Sequence, residues 1–212
     1  MLHKLKPLLM AGVFALPVHQ MTDWQVLEYS NLKPNQVTFS DSGMTVSVNH
    51  SASPIIYPFP ETRTIRQIEL EGSISNLIEL SGGIQGNKGN DDFSLKVGLV
   101  VKGDKTLGSL QRMFSPKWVK TLFDLAPAGT GLDHIHFLSA VQFPELVGKH
   151  SSTQDSDLFY DEYIWLIDKP GEFKLKHQLE ESLSVIAIWI SIDGDDSQSK
   201  YTTVINKITV SD

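Results

Sequence analysis

The sequence predicts an all-β protein, an antiparallel β-sandwich with one covering α-helix near residues 115–126. Three observations predict this fold class. Many short segments alternate apolar and polar side chains, which is the pattern of strands with one buried face. Turn residues separate these segments at regular intervals, and one segment alone has the spacing and end signals of a helix. Such a run of short strands is typical of a sandwich.

The first half of the chain is predicted to form strands joined by turns rich in glycine and proline. A short strand is expected at 24–29. A hairpin joins 37–39 to 44–48, because Gly43 supplies the positive φ that a tight turn needs. Three prolines within 53–60 limit that segment to an edge strand or an extended connection.

A second long strand is expected at 64–74, with a bulge at Ile65, whose side chain is out of phase with the apolar face. A glycine-rich loop, 81–90, leads to the strand at 93–101, which we expect at the centre of the sheet. Its odd-numbered side chains are apolar and share one face, and its even-numbered ones, Lys96 among them, share the other.

The helix at 115–126 is predicted from both of its ends. Ser115 is a candidate N-cap and Pro116 suits the first helical position. Trp118, with the apolar residues one and two turns later, forms a single stripe. We interpret this helix as a packing element that covers the sheet.

Five more strands are predicted in the second half, at 133–140, 160–167, 173–178, 183–192 and 201–210. The segment 183–192 is apolar on both faces and is therefore expected to be central. No internal repeat and no linker interrupts the pattern, so residues 21–212 are predicted to form one domain.

Composition excludes some function classes. The net charge of −7 and the absence of a run of basic residues argue against nucleic acid as a partner. The chain has no cysteine, which excludes disulfides, thiolate metal sites and cysteine nucleophiles. No nucleophile elbow, phosphate loop or dinucleotide fingerprint is present, and no cofactor is predicted apart from calcium, considered below.

Residues 1–20 resemble an export signal. Lys4 and Lys6 precede an apolar run that is too short to span a bilayer, and cleavage is expected near Ala15. The alternative is a buried N-terminal helix or strand. We therefore expect a periplasmic or secreted protein, from a Gram-negative bacterium because cysteine is absent, and not a membrane-spanning one.

Three segments together resemble a known family. They are 51–57, the Lys-Gly-Asn-Asp-Asp-Phe block at 88–93, and 185–195. In order and character they are similar to a family of exported bacterial proteins catalogued as a domain of unknown function, family 3047. The resemblance implies a jelly-roll-like sandwich over residues 24–210, similar in plan to carbohydrate-binding sandwiches, and it implies no activity. Lys96 stands where that family usually has arginine.

Asp91 and Asp92 are the first candidate ligand-binding residues. Adjacent carboxylates at the start of a strand can accept hydrogen bonds from sugar hydroxyls or bind calcium. The alternative is a turn in which an aspartate caps backbone amides and pairs with Lys88 or Lys96.

Asp193, Asp195 and Asp196 are the candidate metal ligands. Carboxylates this close repel one another unless a cation neutralises them, and calcium favours oxygen-rich loops. A solvated loop is the alternative, because no glutamate follows at the spacing of a calcium-binding EF-hand. If the strands that carry the two acidic loops are adjacent and antiparallel, the loops share one rim, and calcium would relieve their repulsion.

His134 and His136 share one strand face at a spacing that zinc sites use, and His150 or His177 could add a third ligand. Without a metal signature we interpret the pair as structural.

The leading functional hypothesis is an exported, non-catalytic sandwich that binds a glycan or a protein of the cell envelope. Exposed Trp165, Tyr160 or Trp24 would stack on sugar faces. One alternative is a jelly-roll glycan hydrolase or lyase that uses two carboxylates, or the histidine face with a tyrosine. Another is a structural subunit of an envelope assembly, joined through an edge strand.

Overall fold

The computed structural model describes residues 12–80, 82–151 and 157–212. Two α-helices, α1 (Ser109–Phe114) and α2 (Lys117–Asp124), lie between the sixth and seventh strands. In chain order the strands are β1 (Phe14–Ala15), β2 (Gln25–Val26), β3 (Gln36–Ser40), β4 (Gly43–Asn49), β5 (Ile55–Ile74), β6 (Lys96–Gly103), β7 (Gly131–Val141), β8 (Phe159–Leu166), β9 (Gly171–Ser191) and β10 (Lys200–Ser211).

Two long strands, β5 and β9, run through the whole fold. They pair antiparallel, and their register shifts between Pro58 and Arg63 and again between Ile65 and Gln67. Register shifts of this kind bend a strand, so each long strand passes from one sheet into the other. The strands form one continuous ten-stranded sheet with the main order β3-β4-β10-β5-β9-β6-β7-β8. We call its two bent halves the first sheet, β3-β4-β10-β5-β9, and the second sheet, β5-β9-β6-β7-β8. The short strands β1 and β2 pair with β10 and β5.

The two sheets enclose the main core, which includes the side chains of Val97, Leu99, Leu138 and Ile188. The opposite face of the second sheet carries a smaller core, where Leu122 of α2 packs with the apolar side chains of β6, β7 and β9. The helical segment therefore covers only this outer face.

The predicted fold class is confirmed, with three corrections. The predicted strands 173–178 and 183–192 are parts of the single strand β9, which continues through residues 179–182 without a turn. The pair β7–β8 is parallel, which the connection from Gln142 to Leu158 permits. Ser115 does not cap the covering helix: its hydroxyl donates to the carbonyl of Gln111 and ends α1, a helix that the sequence did not predict.

Several local predictions are confirmed. The hairpin β3–β4 turns at Gly43, which has a φ of +112°. The predicted bulge at Ile65 coincides with one of the register shifts of β5. The segment 53–60, however, is no edge strand, because Ile55 and Ile56 pair with β9 on one side and with β2 on the other.

The predicted export signal lies only partly within the described residues, because residues 1–11 are outside them. Phe14 and Ala15 pair with β10, and Leu16 and Val18 are buried in the main core. Cleavage directly after Ala15 would remove β1 but leave Leu16 and Val18 in place. Among the described residues, no helix is long and apolar enough to cross a membrane.

Candidate functional site

A cavity of about 350 Å³ opens on the outer face of the second sheet, beside α2. We call it the aromatic cavity. Five aromatic side chains line it, together with four charged side chains and two serines: Tyr29, Trp118, Phe137, Phe159 and Trp189, with Asp91, Lys96, Asp161, Asp193, Ser151 and Ser191. This combination of apolar rings and convergent polar groups is typical of small-molecule sites.

Strand register places the floor of the cavity. Lys96 is paired with Ser191, and Gly98 is paired with both Trp189 and Phe137, so all of these positions face the same way. A Cβ atom on Gly98 would lie 2.8 Å from the Phe137 ring. The glycine therefore makes room for the Phe137 ring, whose centroid is 5.5 Å from that of the Trp189 ring in an edge-on arrangement.

The aromatic wall continues from the sheet to the helix. The Trp118 ring of α2 lies 5.6 Å from the Trp189 ring and 5.6 Å from the Tyr29 ring, in both cases edge-on. Phe159 of β8 stands 6.1 Å from Phe137. The Nε1–H group of Trp189 is buried and finds no acceptor among the described residues.

Lys96 is the one cation of the cavity lining, and it is held firmly. Its ammonium lies 2.7 Å from the Asp161 carboxylate and 4.9 Å from the centre of the Phe137 ring. The Ser139 hydroxyl donates a second hydrogen bond to Asp161, at 2.5 Å. Burial alone would lower the pKa of Lys96, but the carboxylates of Asp161, Asp193 and Asp91 outweigh it and raise that pKa.

Two other carboxyl groups have pKa values above their ordinary range. Burial, with a further contribution from Asp92, raises the pKa of Asp193 to about 8, although Lys96 opposes the shift. Loss of solvent around the Asp91 carboxyl raises its pKa to about 6, again against the effect of Lys96. Burial and the charge of Asp193 raise the pKa of Tyr29 well above its ordinary value.

The two acidic loops meet. The Asp92 carboxylate, in a residue only 1% exposed, accepts the backbone N–H groups of Ser197 and Asp196 at 2.5 and 3.4 Å. The N–H of Phe93 in turn donates to Asp193 Oδ1 at 3.1 Å. Asp92 is therefore a capping residue and faces away from solvent, which is the alternative that the sequence left open.

The candidate metal ligands do not form a ready-made site. Asp193 faces the aromatic cavity, whereas Asp195 is half-buried and Asp196 is exposed. Across the part of the chain that the structure describes, no group of three or more histidine, aspartate or glutamate side chains is arranged to hold a metal ion. Calcium binding stays a prediction.

Trp165 is not an exposed stacking residue. It is 5% exposed, lies in the main core, and its Nε1–H donates to the carbonyl of Lys176 at 3.2 Å. The alternation that aligns Trp165 with Tyr163 and Ile167 directs all three side chains into the protein. Trp24 is buried as well, at 4% exposure, so neither tryptophan can present a face to a sugar.

Tyr160 lies in a second cavity, of about 470 Å³, on the opposite face of β7 and β8. We call it the histidine cavity. Its polar lining consists of His136, His150, His177, Tyr160, Glu162, Glu180, Glu181 and Lys149. The parallel pairing of β7 with β8 places His136 beside Tyr160, and places Leu138 beside Glu162.

A hydrogen-bonded cluster occupies the histidine cavity. His136 Nε2 lies 3.0 Å from Glu162 Oε2, and the Tyr160 hydroxyl donates to Glu162 Oε1 at 3.0 Å. The same hydroxyl is 3.1 Å from His150 Nδ1. Burial lowers the pKa values of His136 and His177, whereas burial and Glu162 raise the pKa of Tyr160 to about 12.

No family model matches the chain, and no curated protein matches it. Among solved structures it is similar to a xylan-binding module, CBM15, with a TM-score of 0.40 and 9% identity, covering 95% of this chain and 97% of that one. It is also similar to a family 11 carbohydrate-binding module from Clostridium thermocellum, with a TM-score of 0.43 and 9% identity, covering 95% and 96%. A tailspike protein of bacteriophage CBA120 aligns at a TM-score of 0.39 and 10% identity, over 92% of this chain and 20% of that one.

Proposed function

We propose that this chain is a non-catalytic carbohydrate-binding protein and that the aromatic cavity is its binding site. The observation that carries the proposal is the lining of that cavity. Five aromatic rings line it together with a lysine, three aspartates and two serines. Of the residues that the sequence singled out as glycan ligands, Asp91 alone belongs to this lining.

A sugar ring fits such a lining because it has two kinds of surface. Its C–H groups form apolar patches that pack on aromatic faces, and its hydroxyl groups need both donors and acceptors. Trp118 of α2 and Trp189 of β9 offer the aromatic surface. Asp91 offers acceptors at the rim, and the buried Trp189 Nε1–H is a donor that finds no acceptor among the described residues.

The proposal also covers the cellular location, the family and the partner of the protein. Export to the periplasm or beyond, in a Gram-negative bacterium, rests on the basic and apolar residues of the first twenty positions. Membership of family 3047 rests on the three segments that resemble it. An envelope protein as partner, in place of a glycan, is the other form of the same hypothesis.

The test is a binding screen with one matched pair of variants. Affinity electrophoresis against soluble polysaccharides of different composition should show retardation of the wild type. In Trp118→Ala, loss of one stacking surface should weaken that binding by about tenfold, or about 1.4 kcal/mol. Phe114→Ala is the control, because Phe114 is 75% exposed, lies four residues earlier and is outside the cavity lining.

Two results would contradict the proposal. One is a folded wild type that no polysaccharide retards. The other is a Trp118→Ala protein that is retarded as strongly as the wild type. Circular dichroism and the unfolding midpoint of each variant would show that a loss of binding is not a loss of structure.

A second candidate function is acid–base catalysis on a glycan in the histidine cavity. The specific observation is the cluster of His136, Glu162 and Tyr160 within hydrogen-bond distance. The lowered pKa of His136 keeps its imidazole neutral at pH 7 and able to accept a proton, and the raised pKa of Tyr160 keeps its hydroxyl protonated. Such a pair suits hydrolysis or elimination.

The enzyme hypothesis is tested by incubating the protein with polysaccharides and measuring new reducing ends. Release of reducing ends that stops in His136→Gln would establish catalysis there and replace the non-catalytic proposal. Wild-type protein that binds a polysaccharide without shortening it would exclude catalysis on that polymer.

A further inference from the structure

The charges in the aromatic cavity do not balance. Its lining contains one ammonium, that of Lys96, and three carboxyl groups, those of Asp91, Asp161 and Asp193. Lys96 and Asp161 form an ion pair at 2.7 Å, with side chains only 13% and 10% exposed, so these two charges neutralise each other. Two carboxyl groups remain.

The two remaining carboxyl groups differ in their partners. Asp193 accepts the Phe93 N–H at 3.1 Å and a hydrogen bond from the Ser191 hydroxyl at 3.2 Å, and it is therefore part of the framework of the loop. Asp91 is exposed as a residue although its carboxyl group is partly desolvated, and it forms no hydrogen bond or ion pair within the described part of the chain. Its carboxylate is therefore available to a ligand.

Aromatic rings beside an uncompensated carboxylate form a characteristic environment for an organic cation. The faces of tryptophan, tyrosine and phenylalanine rings attract an ammonium group, and the carboxylate adds a direct ion pair. A bare metal ion gains less here, since the described residues offer no set of three side chains arranged to ligate it. A ligand carboxylate or sulfate would be repelled by the Asp91 carboxylate.

A second observation points to a ligand in the same place. Trp189 is 2% exposed and lines the cavity, and its Nε1–H finds no acceptor among the described residues. An orphan buried donor is costly, and it is satisfied when an acceptor such as a hydroxyl or ring oxygen binds beside it. The cavity thus offers a donor for an oxygen and a carboxylate for a cation.

We propose that the aromatic cavity selects glycans whose sugars carry a free amino group, such as glucosamine oligomers, over their N-acetylated and neutral counterparts. This inference rests on the proposed carbohydrate binding and names its ligand class. The ammonium of the sugar pairs with Asp91 at the rim, and the sugar ring packs on Trp118.

The pKa values of Asp91 and of the ligand amine determine the pH at which binding should be measured. Asp91 is more than half ionised just above its pKa of about 6. An aliphatic amine with a pKa of about 7.7–8 is still largely protonated there. Calorimetry at a pH slightly above 6 therefore compares a charged ligand with a charged carboxylate.

Three oligosaccharides of equal length, built from glucosamine, N-acetylglucosamine and glucose, are titrated into the full-length protein. We expect the glucosamine oligomer to bind about tenfold more tightly than the other two, from one ion pair and one cation–π contact. Asp91→Asn, which keeps the size of the side chain, should lose most of that preference. Asp41→Asn is the matched control, because it removes the same charge from the exposed β3–β4 turn.

Three results of these titrations would each contradict a different part of the proposal. Equal binding of all three oligomers by the wild type would overturn the amino-sugar inference and leave carbohydrate binding intact. Binding of none would overturn carbohydrate binding itself. An equal loss of preference in Asp91→Asn and Asp41→Asn would show that the overall negative charge attracts the amine, and would also overturn the assignment to Asp91.

Discussion

Replacing Asp193 by asparagine should make the free energy of unfolding nearly independent of pH between about pH 6 and about pH 8, where the wild type is expected to lose stability. The pKa of Asp193 is raised from 3.8 to about 8 in the folded chain, chiefly by burial. Between these two values the folded state holds a proton that the unfolded state has released. Stability from this group is thus complete below pH 3.8 and is lost as the pH rises through about 8.

The size of the effect follows from the shift. Each pH unit in that range changes the free energy of unfolding by about 1.4 kcal/mol for one proton. The slope falls to half as the pH reaches the folded-state pKa of about 8, so between about pH 6 and about pH 8 the wild type should lose about 2 kcal/mol, a large part of the 5–15 kcal/mol that typical domains possess. Asparagine does not titrate, and its amide oxygen can still accept the Phe93 N–H.

Urea unfolding of both proteins at a series of pH values measures this directly. Asp91, with a pKa of about 6, adds a loss of the same sign at lower pH, but it is present in both proteins and drops out of their difference. A wild type as stable at about pH 8 as at about pH 6 would refute the argument. An equal fall in Asp193→Asn would assign the titration to another group.

Three further predictions test single elements of the structure. Asp92→Ala leaves the N–H groups of Ser197 and Asp196 without their acceptor and should lower the free energy of unfolding by about 2 kcal/mol in urea, whereas an unchanged urea midpoint would show that the carboxylate is dispensable. Gly86→Ala should cost at least about 2 kcal/mol more than Gly89→Ala. Both glycines have positive φ, but a Cβ on Gly86 would collide with the Tyr163 hydroxyl and one on Gly89 meets nothing, so equal costs would contradict the packing. Trp165→Ala should lower stability by about 3–5 kcal/mol and leave polysaccharide affinity per folded molecule unchanged, and a folded variant with lost affinity would restore Trp165 as a ligand residue.

The fold could be predicted from the sequence because strand periodicity is a local property. The alternation at 93–101 placed Lys96 and Val100 opposite Val97 and Leu99, and the structure has the former pair outside the main core and the latter within it. The union of 173–178 and 183–192 into β9 could not be predicted. Residues 179–182 have no partner in the register of β5 and β9, and the strand continues through them because Gln178 and Leu183, on either side, both pair with the distant β5.

The site was harder to predict because burial is not local. Alternation predicts that two side chains share a face, but it does not say which face is covered. The sequence correctly predicted that Tyr163, Trp165 and Ile167 share one face of their strand, but that face is buried and not exposed to solvent. Trp118 was assigned to a packing stripe, although α2 leaves one side of its ring at the cavity. The meeting of Asp92 with Ser197 depends on a contact between residues more than a hundred positions apart.

The charged groups of the aromatic cavity are costly in free energy, which supports our proposal that the cavity binds a ligand. A buried ion pair such as Lys96–Asp161 contributes little net stability, because the cost of removing both charges from water offsets their attraction. Apolar side chains of the same size would stabilise the sheet at least as well. Asp193 adds a further cost, since its carboxyl must stay protonated to remain buried below about pH 8. A sheet face that only had to pack against α2 would need none of these groups. Asp193 also serves its own loop, because it accepts the Phe93 N–H. The ion pair of Lys96 with Asp161 has no such role in a loop, and its position among aromatic rings supports our proposal of ligand recognition there.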